Sequence, residues 1–267
     1  MICVFDIESV PDVELLREIY HYDGDSMDVC KQAFVAQKEA SGSEFLPLSF
    51  HKIVSIASVL ADDFGNFIKV GHFAKHISIE NREEALLQEF SAFLNKQNPR
   101  LISFNGRGYD MPLIGIRALK YNVNLYGYYE IDNQQFGKNK WENYRQRYSE
   151  RFHLDLYDTL GNYGAIRTLS LDAVCKMAGI MGKYEICGGQ VYELIFQDND
   201  LEKVDFYCQS DVLNTYWLFL KFELTKGMLQ MNDYLANLDK MRESLPQNAQ
   251  YSKHFIESIN KEIERYK

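Results

Sequence analysis

Apolar residues run along this chain first in short β-type stretches and later at helical spacing. Residues 2–8 (ICVFDIE) form an apolar run ending in acids, which predicts a buried strand whose polar end faces a site. Residues 52–61 (KIVSIASVLA) are β-branched and partly alternating, and 66–74 (NFIKVGHFA) follow after Asp62-Asp63-Phe64-Gly65. Together they predict a hairpin with a glycine-containing turn. Leu86, Leu87, Phe90, Phe93 and Leu94 put a helix over 82–97, and 100–104 (RLISF) reads as another short strand. A helix is expected from Asp110 or Met111, because Pro112 is tolerated in a first helical turn and an Asp there complements the dipole. Ser170 is a candidate N-cap for SLDAVCKMAG, with Gly179 as its stop. Further helices are expected over about 200–222, over 224–245 from the stripe Leu224, Met228, Met231, Leu235 and Leu238, and over 250–265. Residues 23–47 have no clear periodicity and read as a mobile insertion, while 133–152 read as a loop or surface helix. Strands first and helices later predict an α/β chain, a mixed sheet flanked by helices.

Composition narrows this picture. In a chain of 267 residues, 46% hydrophobic, a sizeable core is expected and wholesale disorder is not. No run is long and uncharged enough for a membrane span, and the N-terminus lacks the basic region of a signal peptide. Five scattered cysteines (Cys3, Cys30, Cys175, Cys187, Cys208) without a CxxC pair argue against a zinc site or disulfide framework, and suggest a reducing cytoplasm. The net charge of −9 counts against a high-affinity grip on duplex DNA. It is compatible with an enzyme touching a few terminal nucleotides, since bound metals reverse the field locally.

Three short motifs carry candidate chemistry. Asp6 and Glu8 stand at i and i+2 on a strand, so both carboxylates point to one face. SFNGRGYDMPLI (103–114) is a strand, a glycine-containing turn and a helix start, with Asp110 aimed at a strand-end crevice. Asn105 and Arg107 within it could bond or neutralise a phosphate. In DFYCQSD (205–211), Tyr207 and Asp211 are four apart and share a helical face. Each motif alone is ordinary: strand ends carry acids, helices start with Asp, and tyrosines bond along helices. Two-metal phosphodiester hydrolysis, however, needs oxygen ligands on either side of one phosphate, brought from elements that meet in space.

In order and spacing, the three motifs resemble those of the four-carboxylate (DEDD) exonuclease superfamily: Asp-x-Glu, Asn-x(3)-Tyr-Asp and Tyr-x(3)-Asp. The chain most closely resembles the predicted 3′–5′ exonucleases related to the proofreading domain of family B DNA polymerases. FHKIVSIASV, HLDLYDTLGNYGA, TLSLDAVCKMAGIMGK and VYELI extend the likeness over roughly residues 1–222. The resemblance implies an RNase H-like fold with a mixed five-stranded sheet over 1–222 and a helical extension over 223–267. It implies two divalent cations, Mg²⁺ or Mn²⁺, held by Asp6, Glu8, Asp110 and Asp211, with Tyr207 in the position that defines the tyrosine subclass. The backbone of Ile7 would face the 3′-terminal nucleotide of a single strand, DNA before RNA, and nucleoside 5′-monophosphates would be released.

Other readings fit parts of the chain. A haloacid dehalogenase-type phosphatase needs Asp-x-Asp before Thr or Val, against Asp6-Ile7-Glu8-Ser9 here. A non-catalytic nucleic-acid-binding module of the same fold is a further alternative. Asp155 and Asp158 are spare acids with a minor claim on a metal, and the histidines lack zinc spacing. Lys138, Lys140, Arg145, Arg147 and Arg151, interleaved with Trp141, Tyr144, Tyr148 and Phe152, read as either a single-strand track or a solvated surface. The C-terminal stripe most simply packs on the chain's own domain, with a homodimer or protein partner as the alternative.

Overall fold

The computed structural model describes residues 1–183 and 188–266, and there the early apolar runs gather into one sheet. Strand β1 (Ile2–Pro11) is followed by α1 (Val13–Tyr20), α2 (Ser26–Ser41) and the hairpin of β2 (His51–Ala61) and β3 (Phe67–His72). Helix α3 (Ile79–Gln97), β4 (Arg100–Ser103), α4 (Asp110–Tyr121) and the single turn α5 (Tyr126–Tyr129) lead to β5 (His153–Asp155). Then come α6 (Leu156–Leu160), α7 (Leu171–Met177), α8 (Val191–Phe196), the long α9 (Leu201–Thr225), α10 (Met231–Ser244) and α11 (Tyr251–Arg265). The strand order is β3-β2-β1-β4-β5, with β1 antiparallel to β2 and parallel to β4, and β5 parallel to β4. This is the expected mixed five-stranded α/β architecture.

Alternation along β1 decides where the acids go. Ile2 and Val4 join one core with β2, α9, α10 and α11, while Cys3, Phe5 and Ile7 join the other with α3 and α4. Asp6 and Glu8 continue the Ile2–Val4 face, so they lie beneath α9. Strand β1 pairs with β4 only over Ile2–Val4, so both acids overhang the end of that parallel pair. The strand nevertheless runs to Pro11, past the boundary expected at residue 8. A bulge between Glu8 and Ser9 shifts its register against β2, so the acids sit within a strand, at a kink.

Three expectations are corrected. Residues 26–41 form a helix, held by a capping box between Asp25 and Asp28. It buries only Val29, Cys30 and Ala33, which is why no apolar stripe announced it. Leu224 belongs to α9, and the next helix starts at Met231 after a break in which Gly227 has φ +73°. In the basic segment Lys138 and Tyr144 turn inward: the Lys138 ammonium bonds Glu130 and the Gly127 carbonyl, and the Tyr144 hydroxyl donates to the Pro99 carbonyl.

The C-terminal stripe packs on the chain itself, apart from Met228, which is exposed. Tyr234, Leu238 and Met241 are buried with Tyr216, Trp217 and Phe255 in the core beneath the sheet. Trp217 Nε1 donates to Tyr234 Oη at 2.8 Å, and that hydroxyl donates to Glu262 at 2.8 Å, tying α9, α10 and α11 together. Ser170 does cap α7, accepting from the Ala173 amide. Cys187 lies outside the described residues, and the other four cysteines are free and buried. Among the described residues no helix is long and apolar enough to cross a membrane.

Candidate active site

Three elements carry the predicted acids to one place. The Ile7 amide donates to Asp110 Oδ1 at 3.1 Å, which fastens the start of α4 to β1 between Asp6 and Glu8. Asp110 is the first residue of α4, and Gly106 before it is obligatory: a Cβ there would lie 2.5 Å from Ser103 Oγ. Asn105 has φ +69°, a conformation asparagine tolerates better than most residues. On the other side α9 is buried nearly all round from Val204 to Leu220, so its polar residues must find partners inside. Asp205 and Gln209 do so with Arg82, Ser55 and His72. Tyr207 and Asp211 face the acids of β1 instead, as their mutual electrostatics show.

The cluster is charged against its surroundings. Burial raises the carboxyl of Asp6 well above the usual range, and Asp110, Glu8 and Asp211 raise it further. Burial and Asp211 do the same to Glu8. Asp110 is pushed by burial to about 7, and Asp211 by burial to about 6. Asp211 Oδ1 is buried without a hydrogen-bond partner among the described residues. Such an orphaned oxygen is costly unless a cation answers it. Four carboxylates with hard oxygen donors are the chemistry that Mg²⁺ and Mn²⁺ prefer, so the residues fit a divalent metal site.

Cys208 and Lys183 were not expected there. The Cys208 thiol lies with carboxylate oxygens of Asp6 and Glu8 inside a 4.8 Å cluster. Burial pushes it well above its ordinary value, and it donates to the Asp6 carbonyl at 3.4 Å. Lys183 Nζ donates to Tyr207 Oη at 2.8 Å and lowers Asp6, Glu8 and Asp211 electrostatically. A lysine in GIMGK gives no signal in sequence, since its placement depends on the Lys183 amide being anchored to Asp172 at 2.7 Å.

The remaining predicted residues have other partners. Asp155 accepts from the amides of Asn105 and Arg107 at 2.8 and 2.9 Å, and so clamps the turn before Asp110. The Arg107 guanidinium donates to the carbonyls of Tyr144, Gln146 and His153. Ile7, Glu8 and Ser9 form one wall of a cavity of about 390 Å³ closed by Phe34, Phe45, His51, Tyr109 and Tyr192. Within it the Ser9, Tyr109 and His51 side chains are mutually hydrogen-bonded. The segment expected to be mobile thus supplies an aromatic wall beside the acids.

A family model described as "Predicted 3′–5′ exonuclease related to the exonuclease domain of PolB" matches residues 43–261. That span includes Asp110, Tyr207 and Asp211, and leaves Asp6 and Glu8 to be placed by β1. Among solved structures, the family B DNA polymerase from the hyperthermophilic archaeon Pyrobaculum calidifontis is similar with a TM-score of 0.51 at 16% identity. The similarity covers 97% of this chain and 26% of the polymerase, so the chain spans about a quarter of that protein's length. The fold is that of an RNase H-like exonuclease domain.

Proposed function

Because the chain belongs to the family of predicted 3′–5′ exonucleases related to the exonuclease domain of PolB, we propose that it removes nucleotides from the 3′ end of single-stranded nucleic acid with two divalent cations. Membership makes it a hydrolase of the exonuclease class, and domains of this kind use divalent metals. The single observation that carries the finer reading is the convergence of Asp6, Glu8, Asp110 and Asp211 at the β1 kink, with Asp211 Oδ1 buried and unanswered.

In this reading Asp6, Glu8, Asp110 and Asp211 would together hold the ions, Mg²⁺ or Mn²⁺. Bound ions would supply an ionised water at neutral pH and a counter-charge for the departing 3′ oxygen. The Tyr207 phenol is raised far above its ordinary value by burial and by the acids around it, so it remains protonated and acts as a donor. The Lys183 ammonium occupies a lone pair of that phenol oxygen, and the Tyr207 O–H is hydrogen-bonded to the Asp211 carboxylate, from which it would turn to hold the attacking water. The aromatic cavity beside Ile7 suits the terminal nucleoside, its rings stacking on a base without choosing among bases. Products would be nucleoside 5′-monophosphates. DNA is the favoured polymer, with RNA as the second possibility.

The test is digestion of single-stranded DNA and RNA labelled at either end, in Mg²⁺ or Mn²⁺, with Asp6→Ala as control. The expected outcome is a ladder shortening from the 3′ end that Asp6→Ala abolishes, a loss of about 10³-fold or more. Shortening from the 5′ end, or undiminished cleavage by Asp6→Ala, would refute the reading.

A further inference from the structure

The turn that delivers Asp110 has a second cavity on its other flank. This one, about 420 Å³, is lined by Asn105, Arg107 and Gly108 of the turn and by Tyr128, Arg145, Arg147, Tyr157 and Asp158. Gly108 belongs to it, while the next residue, Tyr109, lines the aromatic cavity. Adjacent residues of one turn thus line the two cavities, and two virtual bonds of about 3.8 Å separate Gly108 from Asp110. Three guanidiniums stand against a single carboxylate in the lining, in a protein whose net charge is −9. Arg147 is neutralised by Asp158 in a two-point pair at 2.9 and 2.5 Å. The Arg107 guanidinium donates to carbonyls and pairs with no carboxylate, though Asp155 and Asp158 act on it electrostatically. Arg145 is exposed, lies over the Tyr129 ring at 5.5 Å, and has no carboxylate within ion-pair distance among the described residues.

We propose that this cavity is the phosphate-binding subsite for the strand upstream of the scissile bond, with Arg145 as its principal contact. The inference rests on the exonuclease reading and adds the strand's path. The terminal nucleoside occupies the aromatic cavity, the scissile phosphate lies at the acids, and the next phosphates back along the chain cross the turn toward Arg145. Tyr128 and Tyr157 line that route. Of the basic-aromatic segment the sequence singled out, this assigns Arg145 to substrate and leaves Lys138 and Tyr144 to the core. Because Arg145 is at the surface, its replacement spares the fold.

The experiment compares wild type, Arg145→Gln and Arg145→Lys on a dinucleotide and a decanucleotide, and measures decanucleotide binding by fluorescence anisotropy without divalent ions across salt concentrations. Arg145→Gln should raise KM for the decanucleotide about tenfold, leave kcat and the dinucleotide unaffected, and lower the slope of log K against log salt by about 0.7, one phosphate's worth. Arg145→Lys should keep most of the slope. An unchanged KM and an unchanged slope in Arg145→Gln would overturn the subsite while leaving the exonuclease standing. Wild-type protein that cleaves nothing would sink the exonuclease reading, and with it the subsite.

Discussion

Two groups of buried carboxylates lie on opposite faces of this sheet, and the protein treats them in opposite ways. On the α3–α4 face, Arg117 donates to both oxygens of Glu83 at 2.7 and 2.6 Å and to Asp12 at 2.7 Å. Glu83 also accepts from the Ile53 amide and the Tyr121 hydroxyl. Burial would raise Asp12, but the Arg117 hydrogen bond and the Leu15 amide win and hold it below its ordinary value. Between α9 and the start of α4, Asp6, Glu8, Asp110 and Asp211 are all raised, and one lysine moderates only Asp6, Glu8 and Asp211. The first group is closed: each charge is answered from within the chain. The second is left unanswered from within the chain, which on the proposed reading is how a metal site differs from a structural ion-pair network.

The sharpest break of this contrast is to open the closed group. Arg117→Met leaves Glu83 and Asp12 buried without a counter-ion, and should cost about 3–5 kcal/mol of stability in urea melts. A loss under about 1 kcal/mol would mean that water already reaches these acids. Removing an acid from the open group should work in reverse. Asp211→Asn relieves repulsion and burial of charge, and should stabilise the metal-free protein by about 1–3 kcal/mol at pH 8 while abolishing cleavage.

The pH dependence follows from the same signs. Asp211 and Asp110, at about 6 and 7 when folded, hold protons that the unfolded chain releases near pH 4. Their contribution is therefore fully present below pH 4 and is lost as pH rises through 6 and 7. Metal-free protein should lose stability over that window, Asp211→Asn should flatten part of the loss, and Mn²⁺ should restore it. A melting temperature that rises between pH 5 and 8 without metal would contradict the open site.

How much of this was legible in sequence depends on how local each signal is. Asp6 and Glu8 share a face because a strand has period two, and Tyr207 and Asp211 because a helix turn spans four residues. Both relations survive any tertiary context. The helix over 26–41 was hidden, since it rests on a surface cap and buries three small or medium residues on a chain segment otherwise polar. Strand β5 is three residues long, too short for any period to declare itself. The partners of the Arg107 guanidinium were hidden because the carbonyls that take its donors lie thirty-seven to forty-six residues away. Lys183 was invisible for the same reason: its meaning lies in Tyr207 and Asp172, both distant in sequence.

Lys183 is also where the comparison can be sharpened at the smallest scale, because it is the open group's counterpart of Arg117. Arg117 satisfies its acids outright, whereas Lys183 only moderates three of them while donating to Tyr207. Lys183→Met should therefore leave the fold intact and lower kcat at pH 7 about tenfold, or 1.4 kcal/mol. Its loss raises the carboxyls further, so protons compete with metal up to a higher pH and the acid limb of the rate profile shifts to the alkaline side. Activity should then recover as pH rises, and Lys183→Arg should restore the original limb. If Lys183 served only to clamp Tyr207, kcat would fall equally at every pH and the limb would stay in place. The shift, more than the loss of rate, distinguishes a lysine that tunes the acids from one that holds a tyrosine.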